Sequence, residues 1–180
     1  MMAPGGYVDG DHGDHGDHGD YIDRVQDQWQ GIFPDVSSEP AGIIARVRRL
    51  AQLIQLQSDS VLMSCGIGRA EFDILALLTR TGRPMTPSEL ASDLLTSPAG
   101  TTKRINKLVD ARLVTRESNP QDGRGALIRL TPKGQETILP VLRSVSDFEA
   151  KLTGFMSPED RIDLTTLLRS LLTHVEAAER

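Results

Sequence analysis

The sequence predicts a mainly α-helical protein carrying one small β-hairpin, and three observations support this. Apolar residues recur at spacings of three and four along most of the chain. Hydroxyl–proline pairs that open helices stand at Thr86-Pro87, Ser97-Pro98, Thr131-Pro132 and Ser157-Pro158. Only residues 113–130 read as two short strands around a polar turn.

Residues 1–19 are rich in Gly and Asp, with Gly-Asp-His repeated from Gly10 to His18. They have no apolar surface to bury, which predicts a disordered tail. His12, His15 and His18 lack the fixed geometry of a structural metal site and read as solvated, so no metal or other cofactor is expected. From residue 20 onward a single domain is expected. Ile22, Val25, Trp29 and Ile32 fall on one face of a first helix that Pro34 ends. A longer helix starts near Pro40, with Ile43, Ile44, Val47, Leu50, Ala51, Ile54, Val61 and Leu62 on its apolar face. Gly66 and Gly68 break it. The third helix, residues 69–81, turns Phe72, Leu75 and Leu78 inward and ends before Gly82.

Thr86-Pro87-Ser88-Glu89 is a capping box opening a short fourth helix. Ser97 caps a fifth, over residues 98–110, with Ile105, Leu108 and Val109 facing the core. Residues 113–117 and 126–130 are the two strands, joined by the turn Asn119 to Gly125. A sixth helix begins at Thr131-Pro132, with a bend expected near Pro140, and Ser157 caps the seventh. Ile162, Leu164, Leu167, Leu168, Leu171 and Leu172 are expected to form the inward face of the seventh.

The chain has 180 residues, 38% hydrophobic and only 4% aromatic, so its core is mainly aliphatic. No apolar run reaches the ~18 residues that span a bilayer, and no signal-peptide pattern opens the chain. The single cysteine, Cys65, excludes an intrachain disulfide and is expected to be a buried, inert thiol. A cytoplasmic location follows as the expectation. The net charge of −5 hides an asymmetry: residues 1–39 carry −8. Residues 97–134 carry +5, from eight Lys or Arg against Asp110, Glu117 and Asp122. Local charge, not net charge, attracts phosphates.

Two short helices joined by a tight turn, the second one basic, followed by a basic hairpin, make a winged helix-turn-helix. The second helix is narrow enough for a major groove of double-stranded DNA. Its polar face offers Ser97, Thr101, Thr102, Lys103 and Lys107 to bases or phosphates, while Arg124 at the hairpin tip suits a minor groove. An ordinary charged helix and a protein-interaction winged helix are the competing readings. No Gly-rich phosphate loop, metal-spaced cluster or nucleophile pattern supports an enzyme.

From Pro40 onward the chain resembles the MarR family of bacterial regulators. Leu90-Ala91, Thr102-Lys103-Arg104-Ile105-Asn106-Lys107-Leu108, Leu113-Val114-Thr115-Arg116, Asp122-Gly123-Arg124 and Leu130-Thr131-Pro132-Lys133-Gly134 carry the resemblance. Gly123 stands where the family usually has a middle wing-tip Arg. Arg112 stands where it usually has Gly, which implies a different exit from the fifth helix. The resemblance implies a homodimer paired through residues 20–66 and 134–180, with residues 67–133 as the DNA-binding lobe. Its two recognition helices would read a pseudo-palindromic operator.

Within the family the chain is similar to a urate-responsive subgroup that has an extra N-terminal helix. Trp29, Asp73, Arg104 and Arg116 fill that subgroup's four ligand positions. The resemblance implies a small anionic ligand, urate or a related purine. Citrate, aconitate and phenolic acids are the other candidates. Two Arg side chains suit a planar anion through paired charge-assisted hydrogen bonds, and Trp29 supplies a flat wall. Asp73 would pair with Arg104 in the empty site. Each residue also has a plainer reading: Trp29 as a staple, Asp73 as a helix-face acid paired with a nearby Arg, Arg104 as a phosphate contact and Arg116 as a wing cation.

Overall fold

The computed structural model describes residues 19–119 and 122–178, and of residues 122–124 the backbone alone. The Gly-Asp-His tail up to His18 lies outside the described residues. The elements run α1 (Tyr21–Ile32), α2 (Glu39–Ser64), α3 (Arg69–Thr81), α4 (Pro87–Asp93), α5 (Pro98–Asp110), β1 (Val114–Asn119), β2 (Asp122–Leu130), α6 (Pro132–Thr153) and α7 (Pro158–Ala178). Two compact units divide at residue 54, within α2.

In the first unit, Asp20 caps α1 by accepting from the amides of Ile22 and Asp23. Arg46 on α2 bridges back to Asp20, Nε to Oδ2 at 2.7 Å, and to Asp23, fastening α1 to α2 at the cap. Arg49 stacks over the Tyr21 ring at 4.1 Å.

In the second unit α3 is the central helix. Phe72, Ile74, Leu75, Leu77 and Leu78 are all buried, more than one face supplies, because α3 packs against α5, α6 and β2. Leu62, Met85, Leu90, Ile105, Leu108, Val114, Ile128 and Ile138 complete this core. Gly82 ends α3 at φ +64, the left-handed turn glycine takes without strain.

The hairpin is antiparallel, with Val114 opposite Leu130 and Arg116 opposite Ile128. Both strands reach further toward the tip than the turn residues predict. The ladder shifts register after Ser118, so that Asn119 pairs with Asp122. Met85 adds a one-residue bridge to Ile128, with amide bonds of 3.0 and 2.8 Å in the two directions. This anchors the hairpin beside the α3–α4 loop. Pro140 sits inside α6, which runs unbroken from Pro132 to Thr153.

Two expectations are corrected. The apolar face of α7 does not turn inward: no residue of α7 is buried, and Ile162 and Leu167 are 65% and 69% exposed. Cys65 is exposed rather than buried. It lies just past the end of α2, where its amide bonds back to Leu62 and the chain turns at Gly66.

Candidate nucleic-acid interface and ligand site

α4 and α5 form the helix-turn-helix because both helix starts are written into the sequence. Thr86 Oγ1 accepts from the Glu89 amide, and the Glu89 carboxylate accepts from the Thr86 amide, closing the capping box. Ser97 Oγ accepts from the Gly100 amide at 3.2 Å and starts α5. Between the helices, Leu95 takes φ +50 and is 92% exposed.

α5 presents Lys103 and Lys107 to solvent, with Thr102 and Arg104 half-exposed beside them. Thr102 donates its hydroxyl to the Pro98 carbonyl at 2.9 Å, which leaves its oxygen free to accept. Thr101 does not join this face. It is buried, with Oγ1 2.7 Å from Thr96 Oγ1. Helix phase is the reason: Thr101, Ile105 and Leu108 follow at intervals of four and three and share the inward stripe. Ser97 is exposed at the N-terminus, where its hydroxyl serves the cap. Arg124 lies on β2, and its side chain falls outside the described residues.

The exit from α5 departs from expectation. Arg112 takes φ +59, the conformation in which glycine is at ease. The chain therefore keeps the left-handed turn a glycine would make, with Arg under local strain. Thr131 Oγ1 then shares its one proton between the carbonyls of Arg112 at 2.9 Å and Leu113 at 3.0 Å, joining the hairpin's far end to this turn.

The ligand-position residues fall in both units. Trp29, in the first unit, is half-exposed and stacks on Phe33, ring centroids 5.8 Å apart and 20° between planes. Both line an apolar groove of about 260 Å³ with Ile22, Val25 and Val36. Asp73, Arg104 and Arg116 lie in the second unit. Burial pushes the Asp73 carboxyl above the ordinary carboxylate range, against the pull of Arg69 and then Arg104, with Asp59 adding to the push. Its ion pair is with Arg69, 3.9 Å away, and not with Arg104. Arg69 in turn is held by Asp59 at 2.8 Å and Ser58 at 2.5 Å. Arg104 still lies close enough for its charge to act on Asp73 and on Glu71.

Arg116 shares its face of β1 with buried Val114 and stands opposite buried Ile128. It leaves the hairpin on the side facing the core, yet is itself exposed. Arg129, by contrast, is tied to Glu117 at 3.0 Å.

Sequence reasoning missed Glu71. This acid in the first turn of α3 holds Lys107 Nζ at 2.7 Å, and the Lys107 bond keeps its carboxyl below the ordinary range. Ala70, Glu71, Lys103, Arg104 and Lys107 line an open groove of about 650 Å³ between α3 and α5. Nothing in the linear spacing marks a pair 36 positions apart.

Among the described residues no helix is long and apolar enough to cross a membrane. A family model described as the MarR family matches residues 66–125, the span from just after α2 into β2. The HTH-type transcriptional regulator PecS of Dickeya dadantii is 31% identical over 157 residues, covering 86% of this chain and 92% of that protein. Among solved structures, wild-type apo MarR from E. coli is 28% identical with a TM-score of 0.57, over 69% of this chain and 94% of that one. AbsC of Streptomyces coelicolor, described as a MarR family transcriptional regulator, shares the fold at a TM-score of 0.69 and 24% identity, over 79% and 97%. The capped helix pair, the docked hairpin and these relatives agree: the chain belongs to the MarR family, whose members are DNA-binding transcriptional regulators and not enzymes.

Proposed function

We propose that this protein is a cytoplasmic, ligand-released repressor. A homodimer binds a pseudo-palindromic operator through α5 and the hairpin, and a small anion, urate or a related purine, releases it. Asp73, Arg104 and Arg116, all in the second unit, form the ligand site, and Trp29 fills the fourth ligand position of the subgroup the sequence resembles. Ser97, Thr102, Lys103, Lys107 and Arg124 contact DNA.

The observation that supports this reading is the placement of Arg104. It stands on the helix that carries the DNA-facing lysines, within the field of the half-buried Asp73 carboxylate on α3. A bound anion that recruits Arg104 acts on the reading helix directly. It then has different affinities for the DNA-competent and incompetent states, which any switch requires. Burial raises the Asp73 carboxyl, and the negative charge of a bound anion would push it in the same direction. Exposed apolar faces on α2, with Ile43, Val47 and Leu50, and on α7 support the dimer.

The test is a gel-shift titration with urate, xanthine, citrate and aconitate on the parent, Arg104→Ala and Asp73→Asn proteins. Urate is expected to release the parent and to lose potency at least tenfold on both variants. Undiminished release of both variants by urate overturns the site. Release by citrate or aconitate alone overturns the ligand.

A further inference from the structure

The bridge between Glu71 and Lys107 joins the first turn of α3 to the last turn of α5. Its two ends are in unequal surroundings. The Lys107 side chain is 71% exposed, while that of Glu71 is only 15% exposed. The acid is fixed in the wall of the α3–α5 groove, and the lysine reaches across the surface to meet it. Lys107 also stands one turn from Lys103, on the basic side of the reading helix. Lys103 has no ion pair among the described residues.

We propose that Glu71 is an internal competitor for Lys107 that sets how tightly the protein holds DNA. A phosphate approaching α5 must displace the Glu71 carboxylate from Lys107 or do without that cation. Glu71 thus acts as a positioning residue: it touches no DNA, and its effect passes through Lys107. The competition weakens binding to every duplex alike, since phosphate contacts carry no base information. A protein that must release its operator in response to a ligand gains from such a ceiling on affinity. This inference rests on α5 as the DNA-reading helix and is independent of the ligand's identity.

The experiment measures binding of the full chain to a duplex that the protein itself selects from a randomised pool, between about 50 and 200 mM salt. Glu71→Gln, Lys107→Met and the double variant are compared with the parent. Each added phosphate contact steepens log K against log salt by ~0.9. Glu71→Gln is expected to bind several-fold tighter at the low-salt end. Its affinity should fall further than the parent's over this fourfold salt range, by as much as about 3.5-fold. In the Lys107→Met background, Glu71→Gln should change neither quantity. Equal tightening in both backgrounds overturns the proposal, because Glu71 then acts only as a nearby negative charge. An unchanged or weaker Glu71→Gln protein with parental melting also overturns it. If Glu71→Gln fails to fold, Glu71→Asp decides, its carboxylate one methylene short of Lys107: tighter binding in the parent background but not beside Lys107→Met supports the proposal, and an equal change in both backgrounds, or none in either, overturns it. A parent that binds with no salt dependence at all counts against the DNA reading itself, a separate failure.

Discussion

Thr101 Oγ1 lies 2.7 Å from Thr96 Oγ1, joining the first turn of α5 to the turn that precedes it. Thr101 is almost fully buried and belongs to the packing of α5, not to its solvent-facing side. Thr101→Val should therefore lower stability by about 1 kcal/mol through the lost hydrogen bond, by urea denaturation. Thr101→Arg, which adds a cation to a supposed DNA face, should unfold the lobe. A well-folded Thr101→Arg protein with enhanced DNA binding would return Thr101 to the interface.

Arg112 at φ +59 is exposed and makes no side-chain hydrogen bond or ion pair among the described residues. A non-glycine residue in this region is strained by ~1–2 kcal/mol per residue. Arg112→Gly should relieve most of that and raise stability by about 1 kcal/mol. The check is the shift in the thermal midpoint. A lower midpoint would mean that Arg112 contributes something its backbone does not reveal.

Gly134, in the first turn of α6, is buried against the hairpin. A Cβ there would fall on the Leu113 carbonyl oxygen and within 2.9 Å of Leu130 Cδ1. That carbonyl already accepts from the Thr131 amide and hydroxyl at 3.0 Å each. Gly134→Ala should destabilise the protein by about 1–3 kcal/mol, since backbone must move to admit it. It should also weaken DNA binding by displacing the wing. Equal stability in urea would show that α6 slides without penalty.

Asp73 has its carboxyl raised by burial, so the folded protein holds this proton to higher pH than the unfolded chain. For a raised acid, the stability of the folded state declines as pH climbs from the unfolded value, near 3.8, through the folded one. Asp73→Asn cannot ionise and escapes that decline. The variant should gain stability relative to the parent as pH rises across the weakly acid range, then keep a constant margin. Paired urea melts across that range read the difference directly. A margin that widens as pH falls would reverse the assigned direction.

Much of this fold is legible in the sequence because its helix starts are chemical. Thr86, Ser97 and Thr131 each cap with a side-chain oxygen followed by proline, and each helix begins at the residue so marked. Helix phase was also readable, and Thr101 is the instructive case. Its residue type suggests DNA, but its spacing from Ile105 and Leu108 places it inside. The strand ends at Asn119 and Asp122 were less legible, since a register shift depends on the partner strand. The Asp73–Arg69 and Glu71–Lys107 pairs show two levels of difficulty. The first is an i,i+4 helix neighbour that spacing offers. The second needs α3 and α5 folded together before either residue has a partner.

The bare helix α7 has one more consequence. A lone chain carries Ile162, Leu167, Leu168 and Leu172 in water over the length of its last helix. If those side chains are covered only by a second copy, folding and pairing are one event, and dilution opposes both. The amount of protein in the cell then becomes a regulatory input. A newly made chain at low copy number is then a substrate for proteases before it pairs, and DNA binding begins only once synthesis outruns that loss.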